Sequence, residues 1–205
     1  MTTSDAQVIR AINAAAQPDQ ATLAQLHARL AALSAVEGLL DASYAFMDSP
    51  IGQLMLVATE AGLIKIAFES EDFEQVLVEL GTRIGPRLLL APERLEPAEQ
   101  ELHEYFAGTR RDFDLPLDHS LSRGFRQRVQ RHLVDIAYGT TQSYKEVATS
   151  VGNPQATRAV GSACASNPLP IVLPCHRVLR SDGSLGGYAG GLEAKRILLA
   201  LERAA

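Results

Sequence analysis

The residues best suited to chemistry in this chain are a cysteine and the histidine after it, Cys175 and His176, in the run PCHRV at residues 174–178. A thiol is a strong nucleophile only as its thiolate, and a neighbouring imidazole is a common means of taking its proton at neutral pH. The preceding proline has its φ fixed at about −65°, so we expect the thiol on a held turn. An apolar run (residues 171–173) precedes this turn and a glycine-rich stretch (residues 186–191) follows it. The pattern predicts a prepared nucleophile.

Four further motifs surround this turn. They are YGTTQSY at residues 138–144, GNPQATRAVG at 152–161, the Asn-Pro pair at 167–168 and GYAGG at 187–191. Together with PCHRV they resemble the O6-alkylguanine-DNA alkyltransferases, the methylated-DNA–protein-cysteine methyltransferase family. The resemblance runs from about residue 43 to residue 202. A Cys-His pair alone would be weak support, whereas five motifs in one order at the family's spacing are specific.

The resemblance implies a fold that is α/β in one part and mainly α in the other. Residues 43–116 would form a ribonuclease-H-like α/β domain without nuclease chemistry. Residues 124–205 would form a winged-helix-like helix-turn-helix domain that binds DNA and carries the thiol. The mostly polar residues 117–123 look like a linker, and residues 1–42, outside the resemblance, would be an extra helical N-terminal arm.

The activity that the resemblance implies is repair of duplex DNA by direct transfer of the alkyl group of O6-alkylguanine to Cys175. O4-alkylthymine is a further candidate substrate. His176 would act as the base through a bridging water, and Glu202 would orient the imidazole in the manner of a hydrolase triad. Asn167 would brace the turn. No second residue looks able to cleave the thioether formed, so we expect each molecule to act once and to need no cofactor.

The same resemblance assigns groups to the departing guanine. The Tyr144 hydroxyl would donate to N3 of the base and the Ala189 backbone N–H to O6, which stabilises developing charge as an oxyanion hole does. The carbonyls of Cys175 and Val178 would accept from the exocyclic amine. The lesion pocket would be completed by Pro174, Tyr188 and Gly190.

The second helix of the helix-turn-helix is rich in small residues and carries one charge. Small side chains favour close approach to a narrow groove, and proteins that this chain resembles insert this helix into the minor groove, where the base code is degenerate. The DNA-facing set would be Ala156, Thr157, Arg158, Ala159 and Gly161; threonine at 157 departs from the family's common alanine. By resemblance, Arg158 would fill the stack after base flipping and Tyr144 would crowd the 3′ phosphate. A plain phosphate contact for Arg158, a packing role for Tyr144 and an ordinary helical hairpin remain open from the pattern alone.

The N-terminal arm reads as two helices separated at Pro18 and Asp19. Residues 8, 9 and 12 give the first an apolar face. The second has a stripe of leucines spaced three and four apart; these are Leu23, Leu26, Leu30 and Leu33. We expect the stripe to pack on its own protein and the protein to be a monomer, with association through the arm as the alternative.

Strand-like runs, turn residues and a capping signal predict the elements that position the motifs. Strands at 44–47, 54–58 and 63–68 should form an antiparallel meander, followed by helices at 71–83 and 97–107. Further helices are predicted at 125–137, 143–150 and 155–166. Ser143 with Glu146 three residues later makes a capping box at the start of the second of these.

Charge divides unevenly along the chain. Residues 1–119 carry eight Lys and Arg against 19 Asp and Glu, whereas residues 120–205 carry 11 against five, within a net charge of −5. A basic segment that also holds the thiol is typical of a domain that faces phosphates, although ordinary variation between two domains would produce the same difference.

Composition excludes several other classes of function. No apolar run approaches the ~20 residues of a membrane span, and the first residues lack the pattern of a secretory signal. We therefore expect a cytoplasmic or nucleoid-associated protein with free thiols. Cys164 should be a small buried residue. The sequence contains no cluster of cysteines and histidines, so we expect no metal site. Gln130 stands where many bacterial relatives have tryptophan, which leaves interdomain packing open.

Two other functions compete with alkyl transfer. A non-enzymatic sensor of alkylated DNA would bind lesions without accepting the alkyl group, but such proteins lack the cysteine. A cysteine hydrolase would leave the basic helix-turn-helix without a purpose. The motifs favour the alkyltransferase.

Overall fold

The protein is described by a computed structural model over residues 19–204, and it divides into two compact units between Leu39 and Leu40. In the first unit, helix α1 spans Gln20–Val36, and Asp19 begins it by accepting from the backbone N–H of Thr22 at 2.7 Å. The predicted first helix of the arm lies outside the described residues. The side chains of the leucine stripe are 51–55% exposed, and a partner for them stays a prediction.

The second unit begins with a four-stranded mixed sheet in the order β3-β2-β1-β4. Its strands are β1 (Ala42–Met47), β2 (Leu54–Thr59), β3 (Gly62–Phe68) and β4 (Leu88–Leu90). The predicted meander is confirmed, since β1 and β2 pair antiparallel and so do β2 and β3. The short β4, which was not predicted, adds to β1 in parallel. Helices α2 (Phe73–Ile84) and α3 (Glu96–Phe106) complete the domain.

Alternating side chains of the strands enter two separate cores. Met55, Val57 and Ile64 pack with Val76 and Leu80 of α2 on one face of the sheet. The other face forms a second core, which includes Leu54, Leu56, Ile66 and Phe68, α3, and buried residues of the helical domain. The α/β domain and the helical domain therefore share one continuous apolar core, and the turn with Cys175 belongs to it.

The helical domain holds α4 (Gly124–Leu133), α5 (Tyr144–Ser150), α6 (Thr157–Ala165) and α7 (Gly191–Ala204). Two-residue strands β5 (Gln142–Ser143) and β6 (Val178–Leu179) pair in parallel. The capping box is confirmed: Ser143 N–H donates to Glu146 Oε2 at 2.6 Å, and Glu146 N–H to Ser143 Oγ at 3.2 Å. The fold prediction, an α/β domain followed by a helical DNA-binding type of domain, is confirmed.

Helix α4 ends four residues earlier than predicted. After Leu133 the backbone N–H groups of Asp135 and Ile136 bond to carbonyls three residues back, at 3.0 and 3.2 Å, which tightens the chain out of the α-helix. Gly139 follows with a φ of 74°, a conformation that favours glycine. The chain thus turns toward β5 before the apolar pattern is exhausted.

Gln130 serves the packing of helices inside the helical domain. It is 1% exposed, and its Nε2 donates to the carbonyl of Ala163 at 3.1 Å and of Ser166 at 3.4 Å. These carbonyls lie at the C-terminal end of α6, where helix acceptors lack intrahelical partners. The departure from tryptophan therefore concerns how α4 holds α6.

Among the described residues, no helix is both long and apolar enough to cross a membrane.

Candidate active site

Cys175 begins a single 3-10 turn, Cys175–Arg177, directly after Pro174. Arg177 N–H donates to the Pro174 carbonyl at 3.0 Å and closes the turn. The Cys175 side chain is 5% exposed. Burial raises the pKa of its thiol, while the side chain of Asn167 and the charge of Lys195 act in the opposite direction. The resting thiol is therefore protonated and needs a base to become a nucleophile.

His176 lies against Glu202 of α7. His176 Nε2 is 2.7 Å from Glu202 Oε1, and both side chains are almost completely buried. A carboxylate at this distance requires the proton on Nε2, which leaves Nδ1 as the basic atom. Nδ1 is buried and has no hydrogen-bond partner among the described residues. Burial lowers the pKa of His176, so the imidazole is neutral and able to accept a proton.

The Glu202 carboxylate is held by more than the imidazole. Arg177 donates to it through Nε at 2.9 Å to Oε2 and through the guanidinium terminus at 3.0 Å to Oε1, and Gly139 N–H donates to Oε2 at 3.2 Å. Burial alone would raise the pKa of Glu202, but the hydrogen bonds from His176 and Arg177 outweigh it and lower that pKa to about 2. The carboxylate is therefore ionised and fixed.

A tyrosine of the α/β domain reaches the same carboxylate. The Tyr105 hydroxyl donates to Glu202 Oε1 at 2.8 Å and lies 3.5 Å from His176 Nε2. Tyr105 is fully buried on α3, in line with Ala98 and Leu102. That spacing of four and three is the ordinary pattern of a core-facing helix. The sequence therefore gave no signal that this tyrosine meets the site.

Asn167 and Lys195 hold the two ends of the segment around the thiol. Asn167 Nδ2 donates to the Leu173 carbonyl at 2.7 Å, and Asn167 Oδ1 accepts from Leu169 N–H at 3.1 Å. Lys195, which is 0% exposed, donates from Nζ to the Val178 carbonyl at 2.7 Å. Burial lowers the pKa of Lys195, against the influence of the two cysteines. Sequence reasoning missed this lysine because it looked like a solvated residue of an amphipathic helix.

Tyr144 begins α5 and points its hydroxyl at the glycine-rich stretch. A Cβ added at Gly186 would collide with that hydroxyl, so the approach requires glycine. Burial raises the pKa of Tyr144 to about 12, and nearby Cys164 and Cys175 act in the same direction. The phenol is therefore protonated at neutral pH and available as a donor.

Phe68, at the end of β3, packs against the loop that would line the lesion pocket. Its ring centroid lies 5.4 Å from that of Tyr188. A Cβ on Gly190 would lie 2.6–2.9 Å from the Phe68 ring, so the glycine permits a close contact. Of the other predicted pocket residues, Pro174 and Val178 are buried and Ala189 is exposed. Phe68 was not predicted as a site residue.

The helix-turn-helix consists of α5, a turn and α6. Val160, Ala163 and Cys164 of α6 are buried, whereas Arg158 and Ala159 are exposed. The remaining predicted contacts, Ala156, Thr157 and Gly161, are partly exposed. Across the described residues, Arg158 makes no ion pair with an acidic side chain. The outward face of α6 is thus small, uncharged except for one guanidinium, and open.

Cys164 does not face that surface. It is 6% exposed, and burial raises the pKa of its thiol. Both cysteines are free. Within residues 19–204, no group of three His, Cys, Asp or Glu side chains could hold a metal ion.

Fold and site together define a two-domain protein that presents a buried cysteine, with a histidine–glutamate pair, beside a helix-turn-helix. Residues 42–119 match the ribonuclease-like domain of 6-O-methylguanine DNA methyltransferase, and residues 124–204 match its DNA binding domain. The chain therefore belongs to the 6-O-methylguanine DNA methyltransferase family.

Individual relatives agree with this assignment. The methylated-DNA–protein-cysteine methyltransferase of Mycolicibacterium paratuberculosis is 42% identical over 160 residues, 78% of this chain and 92% of that protein. The one from Methanosarcina barkeri is 39% identical, over 78% and 96%. The crystal structure of the Mycobacterium tuberculosis O6-methylguanine methyltransferase superposes with a TM-score of 0.69 at 39% identity, over 80% of this chain and 93% of that one. The same mycobacterial protein has also been solved in complex with DNA.

Proposed function

We propose that this protein repairs DNA by moving the alkyl group of O6-alkylguanine onto the sulfur of Cys175. The main support is the buried turn that holds Cys175 and His176 in a domain with a helix-turn-helix. In this turn His176 Nε2 lies 2.7 Å from Glu202 Oε1. A bond forms between sulfur and the alkyl carbon as the bond from that carbon to O6 breaks. The electron pair leaves with guanine, and the thiol proton passes to His176 and then to the departing base.

The proton path requires one water. Cys175 and His176 are neighbours on a turn, and Nδ1 of His176 is buried without a partner among the described residues. Buried polar atoms of this kind are commonly satisfied by ordered water. A water between the thiol and Nδ1 would serve both as that partner and as the proton carrier.

Guanine can leave only if hydrogen-bond donors stabilise the negative charge that develops on its ring. The protonated hydroxyl of Tyr144 is suited to donate to N3, and the backbone N–H of Ala189, an exposed residue, would donate to O6. We infer that the backbone carbonyls of Cys175 and Val178 accept from the exocyclic amine of the base. Lys195 Nζ, which donates to the Val178 carbonyl at 2.7 Å, supports this by holding the second of them. These groups act where negative charge develops.

The lesion must leave the duplex to meet the thiol. Cys175 is 5% exposed, and a stacked base cannot reach a buried sulfur. The open face of α6, with its small residues and Arg158, supports docking in the minor groove. We infer that Arg158 occupies the vacated stack and that Tyr144 crowds the backbone on its 3′ side.

The transfer unit is proposed to be residues 40–205, acting as a monomer on duplex DNA in the cytoplasm or on the nucleoid. The two family matches cover residues 42–119 and 124–204, so both lie after α1 in the chain. Transfer by a variant that lacks residues 1–39 should therefore equal that of the full chain.

Mass spectrometry of the intact protein after incubation with O6-methylguanine duplex tests the proposal. Wild type should gain one methyl group, mapped to Cys175, and Cys175→Ala should gain none while still binding the duplex. Cys164→Ala is the matched control and should react as wild type does. Binding without added mass would instead support a damage sensor, and label on Cys164 would contradict the assignment.

A further inference from the structure

The Glu202 carboxylate has donors of two kinds. His176 and Arg177 belong to the turn that carries the nucleophile, so they move with it. Gly139 and Tyr105 belong to other segments, and Tyr105 comes from the α/β domain. Of the described donors to Glu202, Tyr105 is the one that the α/β domain contributes.

The position of the Tyr105 hydroxyl is fixed by its ring. The ring is 0% exposed and has three aromatic neighbours, Phe106, Phe113 and Tyr138, at centroid distances of 5.5, 5.5 and 6.1 Å. Packed aromatic rings of this kind leave little rotational freedom. The hydroxyl therefore points at Glu202 Oε1 before any substrate arrives.

We propose that Tyr105 is a positioning residue for alkyl transfer: its hydroxyl, 2.8 Å from Glu202 Oε1, fixes the oxygen that orients His176. The α/β domain thus takes part in the reaction through one hydrogen bond. This inference rests on the proposed function, because His176 must act as the base. It assigns no contact between Tyr105 and the substrate.

The hydroxyl also limits how strongly Glu202 attracts a proton on the imidazole. Oε1 is shared between Tyr105, His176 and Arg177. A donor removed from this oxygen leaves more negative charge facing Nε2, which favours the imidazolium. Of the other charged or titratable groups near His176, Arg177 and Lys195 both disfavour the imidazolium. Tyr188 packs against the imidazole at a centroid distance of 6.4 Å, and the thiol of Cys175 is its neighbour in the chain. Loss of the Tyr105 donor should therefore raise the pKa of His176.

Tyr105→Phe tests the proposal, with Tyr138→Phe as the matched control. The Tyr138 hydroxyl is buried nearby and has no hydrogen-bond partner in the described part of the chain, so its removal deletes no bond. Single-turnover transfer from a methylated duplex should be about tenfold slower in Tyr105→Phe, because a bond to a charged group is lost. The acidic limb of its pH–rate profile should move to higher pH, since a base must be neutral to accept a proton. Tyr138→Phe should match wild type in both respects.

A double variant separates positioning from general stability. If Tyr105 acts through Glu202, then Tyr105→Phe/Glu202→Gln should be no slower than Glu202→Gln alone. Duplex binding and the melting temperature establish that each variant is folded. A wild-type rate and pH profile in Tyr105→Phe, or losses that multiply in the double variant, would overturn the inference. If Glu202→Gln does not fold, the pH profile of Tyr105→Phe decides. Failure of wild type and Tyr138→Phe to gain an alkyl group would refute the proposed function itself.

Discussion

The outward face of α6 and the turn that carries Cys175 belong to one domain but have opposite surroundings. Arg158 and Ala159 on α6 are exposed, and no side chain of the described protein neutralises Arg158. On the turn, Cys175 is 5% exposed and His176 is 0% exposed. One region is open and carries few fixed contacts, whereas the other is buried and held by the hydrogen bonds to Glu202.

This difference in exposure assigns DNA binding to α6 and alkyl transfer to the buried turn. A duplex can lie on α6 without contacting the thiol, and the thiol can be held ready without contacting the duplex. The proposed extrusion of the base would join the two, so substitutions in the two regions should reduce activity in different assays. Tyr144 lies at the junction, since it begins the first helix of the pair and approaches Gly186 beside the site.

The largest expected effect after loss of the thiol is that of Tyr144→Phe. The variant keeps the ring and removes a donor aimed at charge in the transition state, for which losses of roughly 10²–10³ in rate are typical. If the hydroxyl serves the chemistry as proposed, single-turnover rates on methylated duplex and on free O6-benzylguanine should fall together. A loss on duplex alone would move Tyr144 to the binding region.

Arg158→Ala should show the opposite pattern. Unstacking a base costs a few kcal/mol, so loss of the residue proposed to fill the stack should slow transfer from duplex by roughly a hundredfold. Free O6-benzylguanine needs no flipping and should react almost normally. Arg158→Lys is the control that keeps the charge, and it should restore salt-dependent binding but little of the rate, since an ammonium has no plane to stack. Equal losses on both substrates would mean that Arg158 supports the folded site.

The closed region should also be visible in the dependence of stability on pH. Glu202 has a folded pKa of about 2 against an ordinary 4.5, so its stabilisation is complete above 4.5 and is lost as pH falls toward 2. The difference corresponds to roughly 3 kcal/mol. His176 adds to acid sensitivity from about pH 6.5 downward, because it is neutral in the fold and protonates on unfolding.

Urea unfolding of wild type and Glu202→Gln at a series of pH values measures this contribution. Wild type should lose its advantage over the variant as pH falls below 4.5. Parallel curves over that range would show that Glu202 is not held as an anion in the fold.

The smallest expected effect concerns the link between α4 and α6. Gln130→Ala removes a donor to two helix-end carbonyls, and its free energy of unfolding should fall by about 1–2 kcal/mol. Gln100→Ala, on the exposed face of α3, is the matched control and should change stability by less than ~0.5 kcal/mol. Thermal unfolding compares the two. Because the Gln130 side chain donates to the Ala163 and Ser166 carbonyls and not to the groups proposed to react, its variant should react normally with the free base, and a slowed reaction would contradict this division.

Much of the fold and the central motif could be predicted from local patterns. Short strand-like runs separated by turn residues identified the three long strands, and Ser143 with Glu146 located the start of α5. The three-residue β4 is too short to have a period, and it forms only because β1 offers a free edge. The end of α4 was misplaced because the bonds that tighten the chain at Ile136 are not encoded in apolar spacing.

Only those residues of the candidate site that belong to a contiguous sequence motif could be predicted. The Cys-His pair and the small residues of α6 are contiguous in sequence. Tyr105, Phe68 and Lys195 lie in segments that follow ordinary core or amphipathic patterns, and their meaning depends on tertiary contacts. A single sequence does not state which core tyrosine meets which buried acid.

The Glu202 carboxylate has a consequence for how the molecule is made. Ninety-seven positions separate Tyr105 from Glu202, and 63 separate Gly139 from it. Contacts so distant in sequence form late, because the loops between them must close first. A growing chain on the ribosome therefore carries Cys175 without an oriented base, and base-assisted alkyl transfer from a DNA lesion should appear only when α7 docks. Folding then buries the thiol and raises its pKa, so the last contacts to form both shield the sulfur and supply its base.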